Sequence, residues 1–183
     1  VDFKQIDPVV KHKIENVVSY SYYSHHFDLL YTQRNIVTAD GTLYGITSKY
    51  EKKVIATNVK KTTANHYLTN NGEVKELGGK TIATGVYDFE ESNDGWVVGI
   101  LKKDGTFHMG YTFVEGKDGY ARGIAKMMDN VKAVVPNALV TNDDTFWRWD
   151  NQLNMVSYDE QAFVNGEFIS DWELKLGLVK VCN

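Results

Sequence analysis

Adjacent His25 and His26, followed by Asp28, are the first residues in this sequence whose types could hold a metal. Zinc takes imidazole nitrogen and carboxylate oxygen in a tetrahedral set. Neighbouring side chains on a strand leave opposite faces, so two adjacent imidazoles rarely turn to one ion. His12, His66 and His108 are scattered over different segments. The expectation is that no metal is held and that these histidines bond backbone groups within their own segments.

Carboxylates are paired at Glu90-Glu91, Asp143-Asp144 and Asp159-Glu160. Glycoside hydrolysis needs two carboxyl groups about 5 to 9 Å apart across a cleft. Neighbours within one turn do not secure that geometry. The runs at 92–95 and 142–144 offer oxygen ligands without the alternating acidic spacing of a calcium loop. No phosphate-cradling glycine loop, nucleophile elbow or cysteine–histidine pair is present. Cys182 is the single cysteine and has no intrachain partner for a disulfide. No catalytic residue and no cofactor is assigned.

Aromatic residues are the more informative chemistry. Tryptophan, tyrosine and phenylalanine make up 13% of the chain, enough to fill an interior and still reach the surface. Tyr22, Tyr23, Trp96 and Tyr111 stand beside turns or links and are the candidate ligand-binding residues. Rings exposed there would suit a protein or carbohydrate partner. Trp147 and Trp149 alternate on one strand and share a face, with Phe146 turned away.

The elements that must position these residues are strands. Short runs rich in Val, Ile, Thr, Tyr and Phe are punctuated by Asp40-Gly41, Asn71-Gly72, Asp104-Gly105 and Asn165-Gly166. Such pairs suit two-residue hairpin turns of the primed type, where both central residues take positive φ. At Asp143-Asp144 the glycine is replaced, so a longer or strained turn is expected. Residues 7–17 are the best helical candidate, with Pro8 suited to a first turn.

The hairpins repeat. Turn positions 41, 72, 105, 144 and 166 follow one another at intervals of 31, 33, 39 and 22 residues. Upstream of the turns lie valine-containing strands at Asn16-Val17-Val18, Asn58-Val59-Lys60, Gly85-Val86-Tyr87, Asn130-Val131-Lys132 and Met155-Val156-Ser157. Residues 55–59 and 82–86 match almost letter for letter. The fold class expected is all-β. Repeated three-stranded β-meanders would form a small propeller of about five blades, closed by a last strand at 178–183. An irregular sandwich or a solenoid is the alternative. One domain over 1–183 is expected. A chain that opens on Val1 rather than methionine reads as processed or trimmed, and a fragment of a longer propeller or multidomain protein is the alternative.

Residues 124–151 resemble one repeat of the regulator-of-chromosome-condensation type. Partial echoes are Ala64-Asn65-His66-Tyr67-Leu68 before Asn71-Gly72, and His25 or His26 before Asp40-Gly41. The resemblance implies a propeller, with binding rather than catalysis. Family blades carry four strands and abundant glycine, whereas most units here are shorter, and Asp150 follows Trp149 where the family places glycine.

Charge and hydropathy narrow the partners. Net charge is −4 with a pI near 5.7, and the lysine pairs at 52–53, 60–61 and 102–103 are dispersed. That balance does not suit a nucleic-acid partner. No window approaches about 18 consecutive apolar residues, so no membrane span is expected. The reading is a non-catalytic binding module, bacterial and secreted or at the cell surface. It would recognise a protein or glycan through one face of the repeats. The alternative is a glycan-acting hydrolase with a site at the blade axis.

Overall fold

A computed structural model describes residues 14–22, 32–47, 51–93, 95–112, 123–149 and 153–157. All regular structure among them is β. The strands β1 (Val17–Tyr22), β2 (Thr32–Thr38), β3 (Leu43–Thr47) and β4 (Lys52–Ala56) form a first sheet. The second comprises β5 (Val59–Thr62), β6 (His66–Thr69), β7 (Val74–Glu76) and β8 (Thr81–Ala83). The third comprises β9 (Val86–Glu91), β10 (Val97–Lys102), β11 (Phe107–Tyr111) and β12 (Ala125–Met128). The fourth comprises β13 (Val131–Val135), β14 (Ala138–Thr141), β15 (Phe146–Trp149) and β16 (Met155–Ser157). In every sheet the spatial order follows the chain, so each is a simple meander.

The all-β class and the repeated meanders are therefore as the sequence reads. The meander has four strands, however, where three were expected. The strand that the sequence pattern hides is the last of each sheet. It is short and half-exposed, as in Lys52–Ala56 and Ala125–Met128, and lacks a clean apolar alternation. Met155-Val156-Ser157 is such a last strand, not the opening of a fifth unit. The turn at Asn165-Gly166 and the strand at 178–183 lie outside the described residues. Most of the helix expected over 7–17 also lies there, but its final residue, Val17, opens β1.

A two-residue link with left-handed backbone joins consecutive sheets. Its second residue is Asn58 (φ 58°), Gly85 (φ 64°) or Asn130 (φ 59°). Asparagine and glycine tolerate that conformation, and each reverses the chain sharply enough to start the next sheet at once.

The hairpin between second and third strands is also built to one plan. It is a three-residue loop, not the two-residue primed turn expected. Gly41 N–H donates to the Thr38 carbonyl at 2.9 Å, and Thr38 N–H to the Thr42 carbonyl at 3.0 Å. The same pair of bonds recurs at Thr69, Lys102 and Thr141. Only the third loop residue is left-handed: Gly41 (φ 84°), Gly72 (φ 80°), Gly105 (φ 84°) and Asp144 (φ 64°). This is a type I turn closed by a glycine bulge. The preceding Asp40, Asp104 and Asp143 have no positive φ and cap their loops with their side chains.

The chain divides into two compact units, Val1–Val86 and Tyr87–Asn183. In the first, Val37 and Leu43 of the first sheet pack with Val59 and Tyr67 of the second. Asn35 is buried there and donates to the carbonyls of Thr63 and Ala64 at 3.1 and 3.0 Å. In the second unit, Val97, Leu101, Phe107 and Met109 of the third sheet pack with Val131, Val134, Leu139 and Trp149 of the fourth. Trp147 packs against the same cluster, so the two tryptophans share a face as expected.

Candidate functional site

Trp96 lies in the hairpin between β9 and β10, and its side chain is 41% exposed. The backbone beneath it is tied from several sides. Ser92 Oγ accepts from Val97 N–H at 3.0 Å, and Ser92 N–H donates to the Val97 carbonyl at 2.8 Å. Gly95, at φ 78°, donates its N–H to the Ser92 carbonyl and accepts from Thr112 Oγ1 at 2.5 Å. The Trp96 carbonyl accepts from Thr112 N–H at 2.9 Å. Within the same unit, Asn93 N–H donates to Asn137 Oδ1 at 2.7 Å, fastening this hairpin tip to the fourth sheet. A large ring on so constrained a base loses little further entropy when it contacts a partner.

Tyr111 is placed differently. It pairs with Val97 across β10 and β11 and is half-buried against the Phe107–Trp149 cluster. Trp96 stands across from Thr112, one position along, so alternation directs the two aromatics to opposite faces of the sheet. Tyr22 ends β1, paired with Arg34. Tyr23 lies outside the described residues. Two further exposed aromatics escaped the sequence reading, Tyr20 in β1 and Tyr87 in β9. Both occupy first strands of sheets, which the sequence marks only by their valines.

Three aspartates are engaged in turns, whereas the Glu90-Glu91 pair ends β9. Asp40 Oδ1 accepts from Thr38 Oγ1 at 2.6 Å and Thr42 N–H at 3.0 Å. Asp104 Oδ1 accepts from Thr106 Oγ1 at 2.6 Å and its N–H at 3.0 Å. Asp143 Oδ1 accepts from Thr141 Oγ1, and from Thr145 N–H at 3.1 Å. In each case the threonine side-chain hydrogen bond is the main cause holding the carboxyl below its ordinary range. Asp144 pairs instead with Lys132. The Asp143-Asp144 pair is thus divided between a turn cap and a surface ion pair, and the two carboxylates do not act together. Asp159-Glu160 lies outside the described residues.

His108 Nε2 lies 2.9 Å from Thr106 Oγ1, within its own hairpin. Burial, aided by Lys102, lowers its pKa against the opposing pull of Asp104. His66 is buried in β6. His12, His25, His26 and Asp28 lie outside the described residues. Among the described residues no three His, Cys, Asp or Glu side chains gather as a metal site, and no helix is long and apolar enough to cross a membrane.

No protein-family model matches the chain, and no curated protein matches it. Among solved structures it is similar to PorZ, an essential bacterial surface component of the type-IX secretion system of human oral-microbiomic Porphyromonas gingivalis. The TM-score is 0.43 at 14% identity, covering 77% of this chain and 22% of PorZ. It is also similar to the HIRA fragment 644–1017, with a TM-score of 0.38 at 9% identity, covering 81% of this chain and 55% of that one. The chain therefore spans about a fifth of the first and about half of the second.

Proposed function

We propose that this chain is a non-catalytic binding module that recognises a protein or glycan through one face of a β-propeller, secreted or displayed at a bacterial surface. Trp96 carries the reading, as a partly exposed indole on a hairpin tied by the Ser92, Gly95, Thr112 and Asn137 bonds. Aromatic anchors on rigid supports are where binding energy concentrates. The turn carboxylates support the same reading, because Asp40, Asp104 and Asp143 are spent on their own loops. Four-stranded meanders joined by two-residue links are also the unit that radial repetition uses. The likeness of residues 124–151 to the regulator-of-chromosome-condensation repeat agrees with a propeller.

The test compares wild type and Trp96→Ala on an array of surface glycans and a panel of immobilised surface proteins. Binding to at least one probe, weakened at least tenfold in the variant with its fold retained, is the expected result. Equal binding by both proteins would overturn the role of Trp96. Release of reducing sugar from any arrayed glycan would overturn the non-catalytic reading and favour the hydrolase.

A further inference from the structure

Three of the hairpin loops between second and third strands set an aspartate just before the left-handed residue. Each spends its carboxylate on its own loop. Asp40, Asp104 and Asp143 accept from the amides of Thr42, Thr106 and Thr145 at 3.0, 3.0 and 3.1 Å. The remaining loop, Thr69-Asn70-Asn71-Gly72-Glu73, has the same backbone. Gly72 N–H donates to the Thr69 carbonyl at 3.0 Å, and Thr69 N–H to the Glu73 carbonyl at 2.9 Å. Asn71 holds the place of the aspartate and is exposed. Here the Glu73 amide donates to Thr69 Oγ1 at 3.2 Å, so the hydroxyl does the work that a carboxylate does in the other loops.

Asn71 also differs from its neighbour. Asn70 Nδ2 donates to Asn58 Oδ1 at 3.0 Å, which holds that side chain across to the preceding link. Among the described residues, Asn71 is the asparagine that precedes glycine. Glycine has no Cβ to obstruct the approach of its backbone nitrogen to the side-chain carbonyl before it. The bond from Gly72 N–H to Thr69 opposes that approach, so the loop must open before the nitrogen can turn. Asn70 lies in the same loop and shares the same opening.

We propose that Asn71 is a site of spontaneous deamidation, and that its aspartyl product takes up the cap already present in the other three loops. Gly72 N gives up its proton and bonds to Asn71 Cγ. The Cγ–Nδ2 bond breaks, and ammonia leaves with that proton. Water then opens the cyclic imide. Cleavage between Cγ and Gly72 N gives aspartate, and cleavage at the former backbone carbonyl gives isoaspartate, with an added methylene in the main chain. The net reaction consumes water and releases ammonia, with no change of oxidation state. A carboxylate at position 71 meets Thr69 Oγ1 and Glu73 N–H as Asp40 meets Thr38 Oγ1 and Thr42 N–H. The isoaspartyl chain is too long for the closing bonds of a three-residue loop. The inference stands apart from the role of Trp96 and rests on the comparison of the loops.

Incubation of the 183-residue chain in mildly alkaline buffer, with its circular dichroism unchanged throughout, tests the first part. Peptide mass spectrometry should find conversion at Asn71 at least tenfold faster than at Asn70, and none at position 71 in Asn71→Gln. Equal rates at the two asparagines, or conversion at Asn71 only after denaturant unfolds the chain, would overturn the site. Thermal unfolding of Asn71→Asp tests the second part. Its melting temperature should exceed that of wild type at neutral pH, and the excess should vanish on acidification through the carboxylate range, because a capping carboxylate stabilises only while ionised. A melting temperature equal to or below that of wild type at neutral pH would overturn the cap.

Discussion

The amide of Val59 donates to the carbonyl of Gly41 at 2.8 Å, across the boundary between the first and second sheets. The turn of one sheet thus holds the first strand of the next. Val131 to Gly105 repeats the bond at 2.9 Å between the third and fourth sheets. A Cβ added at Gly41 would lie 3.5 Å from Asn58 Cα and from Val59 N, which is ordinary contact. The cost of a side chain there is therefore conformational, at φ 84°. Gly41→Val should lose about 1–2 kcal/mol of stability by denaturant unfolding, since a β-branched residue is strained in the left-handed region. Asp144→Gly should gain stability, because Asp144 bears the same conformation at φ 64°. Its pairing with Lys132 is exposed and offsets little of that gain.

The turn caps give the fold an acid-sensitive component. Hydrogen bonds from threonine depress the carboxyls of Asp40, Asp104 and Asp143 in the folded state. For a depressed carboxyl, the folded state binds fewer protons than the unfolded state. Its stabilisation is present above the unfolded-state pKa and is lost as pH falls through the folded-state value. Asp104→Asn keeps an acceptor oxygen for Thr106 but cannot titrate. Its melting temperature should fall less steeply than wild type on acidification through the carboxylate range. His108 acts in the same sense at higher pH. Its depressed pKa means that stability declines as pH falls from the ordinary histidine range to the lower folded value. His108→Gln should flatten that part of the curve.

Gly99 is a notch for two aromatic rings. A Cβ there would stand 2.8 Å from Phe107 Cζ and 3.2 Å from Trp149 Cζ2. The two rings lie with centroids 6.0 Å apart, inside the core of the second unit. Both are fully buried and cannot give way without displacing neighbours. Gly99→Ala should cost about 1–3 kcal/mol through overpacking. A melting temperature equal to wild type would mean that the rings can shift.

Much of this architecture could be read from residue types, and the reasons are local. Asp-Gly and Asn-Gly pairs mark turns because glycine alone takes φ near +80° cheaply, and each described pair does sit in a turn. The repeated Asn-Val and Gly-Val steps mark the links for a similar reason. The number of strands was not legible. Strands such as Lys52–Ala56 and Thr81–Ala83 are held by pairing on one edge, and their exposure removes the apolar alternation that betrays a strand. Turn type was not legible either, because Asp-Gly serves both the primed turn and the bulged three-residue loop. For the site, alternation cannot say whether a ring at a strand end faces a neighbouring sheet or solvent. Tyr111 and Trp96 read alike in sequence, yet one packs on the core and the other is exposed.

That difference gives the most direct test of the binding face. Tyr111→Ala should remove a ring packed against the Phe107–Trp149 cluster and lower stability by about 2 kcal/mol, in the range for partly buried aromatic truncations. Trp96→Ala should lower the melting temperature less than Tyr111→Ala, since Trp96 is more exposed than Tyr111, which packs against the core. Its main effect should appear in partner binding, as at least a tenfold rise in Kd, the size expected for an aromatic anchor contributing about 2 kcal/mol. The measurements are thermal unfolding and titration of an array-identified partner, made on both variants. Stability loss in Trp96→Ala comparable to that in Tyr111→Ala, with partner affinity unchanged, would make Trp96 a packing residue and move the binding face elsewhere.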